Sequence, residues 1–159
     1  MRNALPLLML AAALAACSTG STLTREERVA LYREHAGEPV ASFQLPRAGM
    51  RQWTPLDDRT LTVWATPTSG HLIELRNPCP RMLTSAGLSF TNSMGVVNSG
   101  MDSVVTRGAG GSPAAINACR IETIRPLDAN TIRDAKRELR EYDAIDRSEA
   151  PPESDASPS

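Results

Sequence analysis

The run "TLTVWAT", Thr60 to Thr66, alternates along its length: Leu61, Val63 and Ala65 point one way, and Thr60, Thr62, Trp64 and Thr66 the other. A period of two in β-branched and aromatic residues reads as a strand. Runs of the same texture flank it: "VASFQL" (40–45) and "MRQWTPL" (50–56) before, "HLIEL" (71–75) after. The second and third are joined by "DDR" and the third and fourth by "PTSG". Such short links forbid parallel neighbours, because a parallel crossover needs about a dozen residues. The expectation is an antiparallel meander of about four strands.

Outward from the meander the pattern loosens and then recovers. After "NPCP" around Cys79, residues 83–112 are rich in Ser, Gly, Asn and Met, with weak strands at "GLSFTNS" (87–93) and "DSVVTRG" (102–108). "CRIETIRPL" (119–127) reads as a last strand, with Cys119 and Ile121 inward, Arg120 and Glu122 outward, and Pro126 near its end. Helices bracket the strands. "TREERVALYREHAG" (24–37) carries a capping box, Thr24 with Glu27, a stop at Gly37, and a partial apolar face of Val29, Leu31, Tyr32 and Ala36. "DANTIRDAKRELREYDAI" (128–145) has Ile132, Ala135, Leu139 and Tyr142 as a narrow stripe at three- and four-residue spacing, with Arg137 and Glu141 as an i,i+4 pair. The stripe spans too few heptads for a coiled coil and fits a helix resting on the sheet. The fold class expected is α+β: a small antiparallel β-sheet or partly open barrel with an N-terminal and a C-terminal helix. It forms one domain over residues 23–146, and the polar, Pro- and Ser-rich tail 147–159 has the composition of disorder.

The beginning of the chain has a different grammar. Arg2 precedes an apolar run from Ala4 to Ala16 broken only by Pro6, which is the layout of an export signal over residues 1–16. A membrane span needs roughly 20 apolar residues, so this run is too short to be one. Leu14-Ala15-Ala16-Cys17 resembles the lipobox of bacterial lipoproteins, and the resemblance implies cleavage before Cys17 and a diacylglycerol on its sulfur. Residues 17–22 are then a lipidated polar tether. Ser18 after the cysteine implies the periplasmic face of the outer membrane. An ordinary cleaved signal, or a buried apolar helix, is the alternative.

Charge and cysteines bound the partners. With 17 Lys+Arg against 18 Asp+Glu there is no basic field for nucleic acid. Aromatic residues are 4% of the chain, so the core leans on aliphatic side chains and is modest, the situation in which small domains use a staple. With Cys17 committed to lipid, Cys79 and Cys119 remain as an even pair in an oxidising compartment, and a disulfide between them is expected. Two free thiols or half a metal site compete with it. The two histidines, His35 and His71, lack ligand spacing to either cysteine, so no metal is expected.

Nothing in the sequence assembles into a catalytic set. "RGAGGS" (107–112) is Gly-rich, but Pro113 follows and no lysine is near, so it reads as a loop and not a phosphate cradle. His35 and His71 each could serve as a base, yet no Gly-x-Ser-x-Gly elbow accompanies them. Asp57-Asp58 falls in a turn, where aspartate is favoured by local backbone hydrogen bonds. No catalytic residue, cofactor or enzymatic activity is assigned. Trp53 and Trp64 lie on adjacent expected strands, where a cross-strand contact is available to them. They are either sheet packing or an exposed anchor for a partner or a glycan, and with His71 they make the candidate binding surface.

Together "HAGEPVASF", "WTPLDDRTLTVW", "HLIELRNPCP" and "CRIETIRPLD" resemble an uncharacterised family of small proteobacterial lipoproteins, many from xanthomonad-type bacteria. The resemblance covers about residues 25–135, and its most specific parts are the "WTPL" strand and the "CP…CRIE.IRPL" pair. It supports the disulfide and the compact domain and implies no activity. The function expected is that of a lipid-anchored envelope protein, a structural or binding module held at the membrane by its lipid. A periplasmic inhibitor or accessory factor of an envelope enzyme, or an unrecognised enzyme, are the alternatives.

Overall fold

The structure, a computed structural model, describes residues 23–47, 49–92, 94–107 and 117–149. Residues Leu23–Leu139 form one body, and residues 1–22 and 140–159 group as a separate unit of which only the end of a helix is described. The expected signal segment, Cys17 and its tether, most of the Gly-rich string after Arg107, and the tail beyond Glu149 lie outside the described residues.

In chain order the elements are α1 (Arg25–Glu34), β1 (Ser42–Gln44), β2 (Gln52–Pro55), β3 (Thr60–Trp64), β4 (Ser69–Leu75), a 3-10 turn (Met82–Thr84), β5 (Gly87–Phe90), β6 (Val96–Asn98), β7 (Ser103–Arg107), β8 (Asn117–Asp128) and α2 (Ala129–Glu149). Six strands make an open, wholly antiparallel sheet in the order β2-β3-β4-β8-β7-β5, while β1 and β6 pair separately. The sheet does not close into a barrel.

The meander is therefore three strands long, not four. The run 40–45, expected to begin it, instead crosses to β6, pairing Ser42 with Asn98 and Gln44 with Val96. One residue explains the choice: Phe43 is the single buried side chain of β1, and pairing with β6 carries it onto the sheet face with Val97. The β6 strand was not visible in the sequence because two valines inside a Gly-, Ser- and Asn-rich stretch give too short a pattern.

Alternation in β3 holds, but both of its faces are covered. Leu61 and Val63 join Ile73, Leu75, Val104, Ile121 and Ile124 in a core under the β1–β6 ribbon and Met82. Thr60 and Thr62, pointing the other way as the alternation requires, are fully buried on the opposite side, where α1 and α2 lie. There Val29, Leu31 and Tyr32 of α1 meet Ile132 and Ala135 of α2 over Leu56, Leu72 and Leu127. The molecule is thus three layers deep: a helix pair, the large sheet, and the ribbon. Each fully buried Leu or Ile contributes about 1.5–3 kcal/mol, which is how a chain poor in aromatics sustains its core.

β8 runs down the middle of the sheet, bonded to β4 on one side and β7 on the other. It carries a bulge: Glu74 pairs with Thr123, but Leu75 pairs with Ile121. The extra residue, Glu122, lets Ile121 and Ile124 reach the same core across an odd spacing that a regular strand forbids. Glu122 itself is exposed and accepts from Arg76 Nε at 2.6 Å.

The helix ends follow local chemistry. The Thr24 Oγ1 accepts from the Glu27 N–H at 3.2 Å and the Glu27 carboxylate accepts from the Thr24 N–H at 2.7 Å, completing the expected capping box. α1 stops at Glu34 with His35 as its C-cap, three residues short of the expected Gly37. Gly37 is used differently, its N–H donating to the Pro126 carbonyl at 2.9 Å to begin a strap along β8 that continues with Val40 N–H to the Ile124 carbonyl. At the other end Asp128 Oδ1 accepts from the N–H groups of Asn130 and Thr131, capping α2. Of the expected stripe, Ile132 and Ala135 are buried while Leu139 and Tyr142 are exposed. Arg137 pairs with Asp134 at 3.1 Å, not with Glu141, and α2 continues to Glu149, into the segment read as tail. No helix among the described residues is long and apolar enough to cross a membrane.

Candidate functional site

Cys79 and Cys119 are joined, with 5.6 Å between their Cα atoms. Cys79 follows the meander and is buried beside Met82; Cys119 lies on β8 opposite Val104 of β7. The bridge ties the last strand to the end of the meander, as the sequence suggested.

The three residues of the expected binding surface are not all brought together. Register decides this: Trp53 pairs with Val63, and Val63 with His71, so these side chains share the ribbon-side face. Trp64 pairs with Gln52 and Gly70, one residue out of step, and stands on the helix side. A direct contact between the tryptophans is therefore ruled out by the pleat.

His71 is packed, not poised. Its ring stacks on Phe43 with centroids 4.3 Å apart, and Phe43 meets Phe90 edge-on at 5.9 Å. The Nδ1 atom is buried with no hydrogen-bond partner among the described residues. Burial pushes its pKa below the ordinary histidine value. A general base needs its proton donor within hydrogen-bond reach, and the buried Nδ1 has none among the described residues. The other titratable group with a resolved environment on this side is Asp102. Burial pushes its carboxyl up, but hydrogen bonds from the Asn98 N–H and side-chain amide and from Thr91 Oγ1, with the Arg120 charge, outweigh that and hold it below the usual range. Asp102 pins the β6–β7 turn. Asp57 likewise serves its turn, accepting from the Arg59 N–H at 2.8 Å. No group of three or more His, Cys, Asp or Glu among the described residues is arranged to hold a metal ion.

Two grooves remain. One, about 360 Å³, is lined by charged side chains, among them Arg33, Asp57, Arg59, Glu74 and Glu122. Its charges are spent on each other or on the backbone: Arg33 Nε donates to Glu74 at 2.7 Å, Arg59 Nη2 to the Arg76 carbonyl at 2.9 Å, and Glu122 holds Arg76. This is a tie between α1, β4 and β8.

The other groove, about 340 Å³, is lined by Arg51, Gln52, Trp64, Thr66, Pro67 and Ala129. Its floor is built deliberately. A Cβ placed on Gly70 would sit 2.5 Å from Trp64 Cε3 and 2.8 Å from Cδ2, so the indole lies directly against the Gly70 backbone. Only glycine permits that approach. The Thr66 hydroxyl accepts from the N–H groups of Thr68 and Ser69, fixing the turn behind the ring. Arg51 is anchored by its own N–H to the Trp64 carbonyl at 2.9 Å, but its guanidinium makes no hydrogen bond or ion pair among the described residues. The sequence marked Trp64; it could not mark Arg51 and Gln52, whose role depends on the β2–β3 register.

An open antiparallel sheet covered by two helices on one face and a β-ribbon on the other, stapled by one disulfide and bearing one aromatic groove, defines an α+β protein of the small-domain class. The chain belongs to a family of unknown function, DUF6491, whose model matches residues 1–143. No curated protein and no solved structure matches it.

Proposed function

We propose that this is a lipid-anchored envelope protein whose folded body is a binding module. Cleavage before Cys17 leaves a lipid on that sulfur, and the body hangs from the periplasmic face of the outer membrane by the tether 18–22. The observation that carries the binding half is the Trp64 indole seated on Gly70 in a groove whose Arg51 guanidinium has no partner among the described residues. An aromatic ring held rigid at low entropy cost, next to polar groups not used internally, is the composition of a recognition site. The anchoring half is supported by Leu14-Ala15-Ala16-Cys17 at the end of a short apolar run. The disulfide is the bond an oxidising compartment allows to persist.

Intact-mass analysis of protein purified from native membranes tests the anchoring. The expected species begins at Cys17 and carries acyl glycerol, and Cys17→Ser is recovered without lipid. An unmodified leader still attached to the native protein refutes it. Photocrosslinking in intact cells from position Gln52 tests the module reading: adducts absent when the label is moved to the charged groove support it, and equal labelling from both positions contradicts it.

A further inference from the structure

The Trp64 groove has features that specify its ligand, and this step rests on the binding-module reading above. We infer that it takes an acidic saccharide, with one sugar ring laid on the Trp64 indole and its carboxylate on the Arg51 guanidinium.

The argument starts from the row Gln52, Trp64, Gly70, three cross-strand partners whose side chains share the helix-side face of β2, β3 and β4. The missing side chain at Gly70 seats the indole, so the ring is held flat before any ligand arrives. A flat, rigid aromatic ring suits the apolar C–H face of a pyranose, because little ordering remains to oppose binding. Beside it the exposed Gln52 amide offers a donor and an acceptor together, the pattern that neighbouring hydroxyls satisfy. Arg51 is the only charged residue among the described residues lining the groove, and a planar guanidinium matches a carboxylate with two parallel hydrogen bonds. The nearest acid in sequence to the lining residue Ala129 is Asp128, and its Oδ1 is occupied by the α2 amides of Asn130 and Thr131. The groove volume, about 340 Å³, lies at the small end of ligand sites, which fits one or two rings and excludes a long polymer buried along its length. A phosphate ligand is disfavoured because the first amides of α2 beside the groove are already spent, the Ala129 N–H on the Thr68 carbonyl and the Asn130 and Thr131 N–H groups on Asp128.

The test is a fluorescence titration of the full chain in detergent, carrying Trp53→Phe so that Trp64 is the sole reporter of the two tryptophans. The probes are trigalacturonate, the neutral cellotriose, and inorganic phosphate. Trigalacturonate is expected to give a saturable change that Arg51→Gln weakens by about tenfold or more, with cellotriose at least about tenfold weaker in the parent. Equal binding of cellotriose overturns the carboxylate assignment, and an equal response to phosphate overturns the saccharide. No saturation with trigalacturonate, in a protein whose circular dichroism is unchanged, overturns the inference outright. The Cys17 lipid and the Gln52 crosslinks are read separately, so the module reading survives or fails on its own data.

Discussion

Replacing Gly70 with alanine probes the tightest glycine site among the described residues. The new methyl carbon would stand 2.5 Å from Trp64 Cε3, about 1 Å inside ordinary carbon–carbon contact. Backbone lies on the other side, with the Val63 carbonyl 2.8 Å from the same point, so the ring must tilt away toward the groove. Overpacking of this kind costs about 1–3 kcal/mol. Alanine also restricts the unfolded chain, a gain of about 0.4–1 kcal/mol that partly offsets the clash. The net expectation is a destabilisation of about 1 kcal/mol in urea unfolding followed by far-ultraviolet circular dichroism, a signal independent of the tryptophans. The decisive comparison is the double-mutant cycle with Trp64→Ala. Once the indole is gone only the contact with the Val63 carbonyl remains, so Gly70→Ala should cost less than in the parent, giving a coupling energy of about 1 kcal/mol. If Gly70→Ala costs the same in both backgrounds, the indole does not rest on the glycine, and the preformed floor of the groove is disproved.

Three further outcomes are expected. Cys79 and Cys119 close a loop of 40 residues, so reduction should lower unfolding stability by about 4 kcal/mol on the chain-entropy estimate, and a loss under about 1 kcal/mol would contradict the bridge's role. Thr60 and Thr62 are buried with Oγ1 atoms unpartnered among the described residues, so Thr62→Val should stabilise by about 1 kcal/mol, and a clear destabilisation would reveal a partner for the hydroxyl. Because burial lowers the His71 pKa in the folded protein, the unfolded chain binds more protons as pH falls below about 6.5, so stability should be full above about pH 7 and decline on acidification. His71→Gln should flatten that decline, and the Asp102 contribution, present above the carboxylate range, is lost only at lower pH.

Much of the architecture was legible because it is local. Short links fixed β2-β3-β4 as antiparallel, the capping box fixed the start of α1, and cysteine number pointed to the bridge. What was hidden depends on distant pairing. Alternation put Thr60 and Thr62 on the second face of β3, but only the return of α1 and α2 shows that this face is covered. Phe43 read as part of the meander because nothing near it names β6. The bulge at Glu122 shifted Ile124 onto a face that strict alternation from Ile121 denies it. For the site, aromatic type singled out both tryptophans, but only register could separate them, sending Trp53 and Trp64 to opposite sides.

The placement of β8 has a temporal meaning. A strand spanning residues 117–128 forms the seam between β4 and β7, so everything translated before it waits with two exposed flanks. A chain made from its N-terminus cannot zip these halves together until residue 128 has emerged. The β2–β4 meander and the β5–β7 pair can form early, yet each keeps an unpaired edge until β8 joins them, and shielding of those open flanks by helper proteins during synthesis would matter more to its yield than the strength of the finished core.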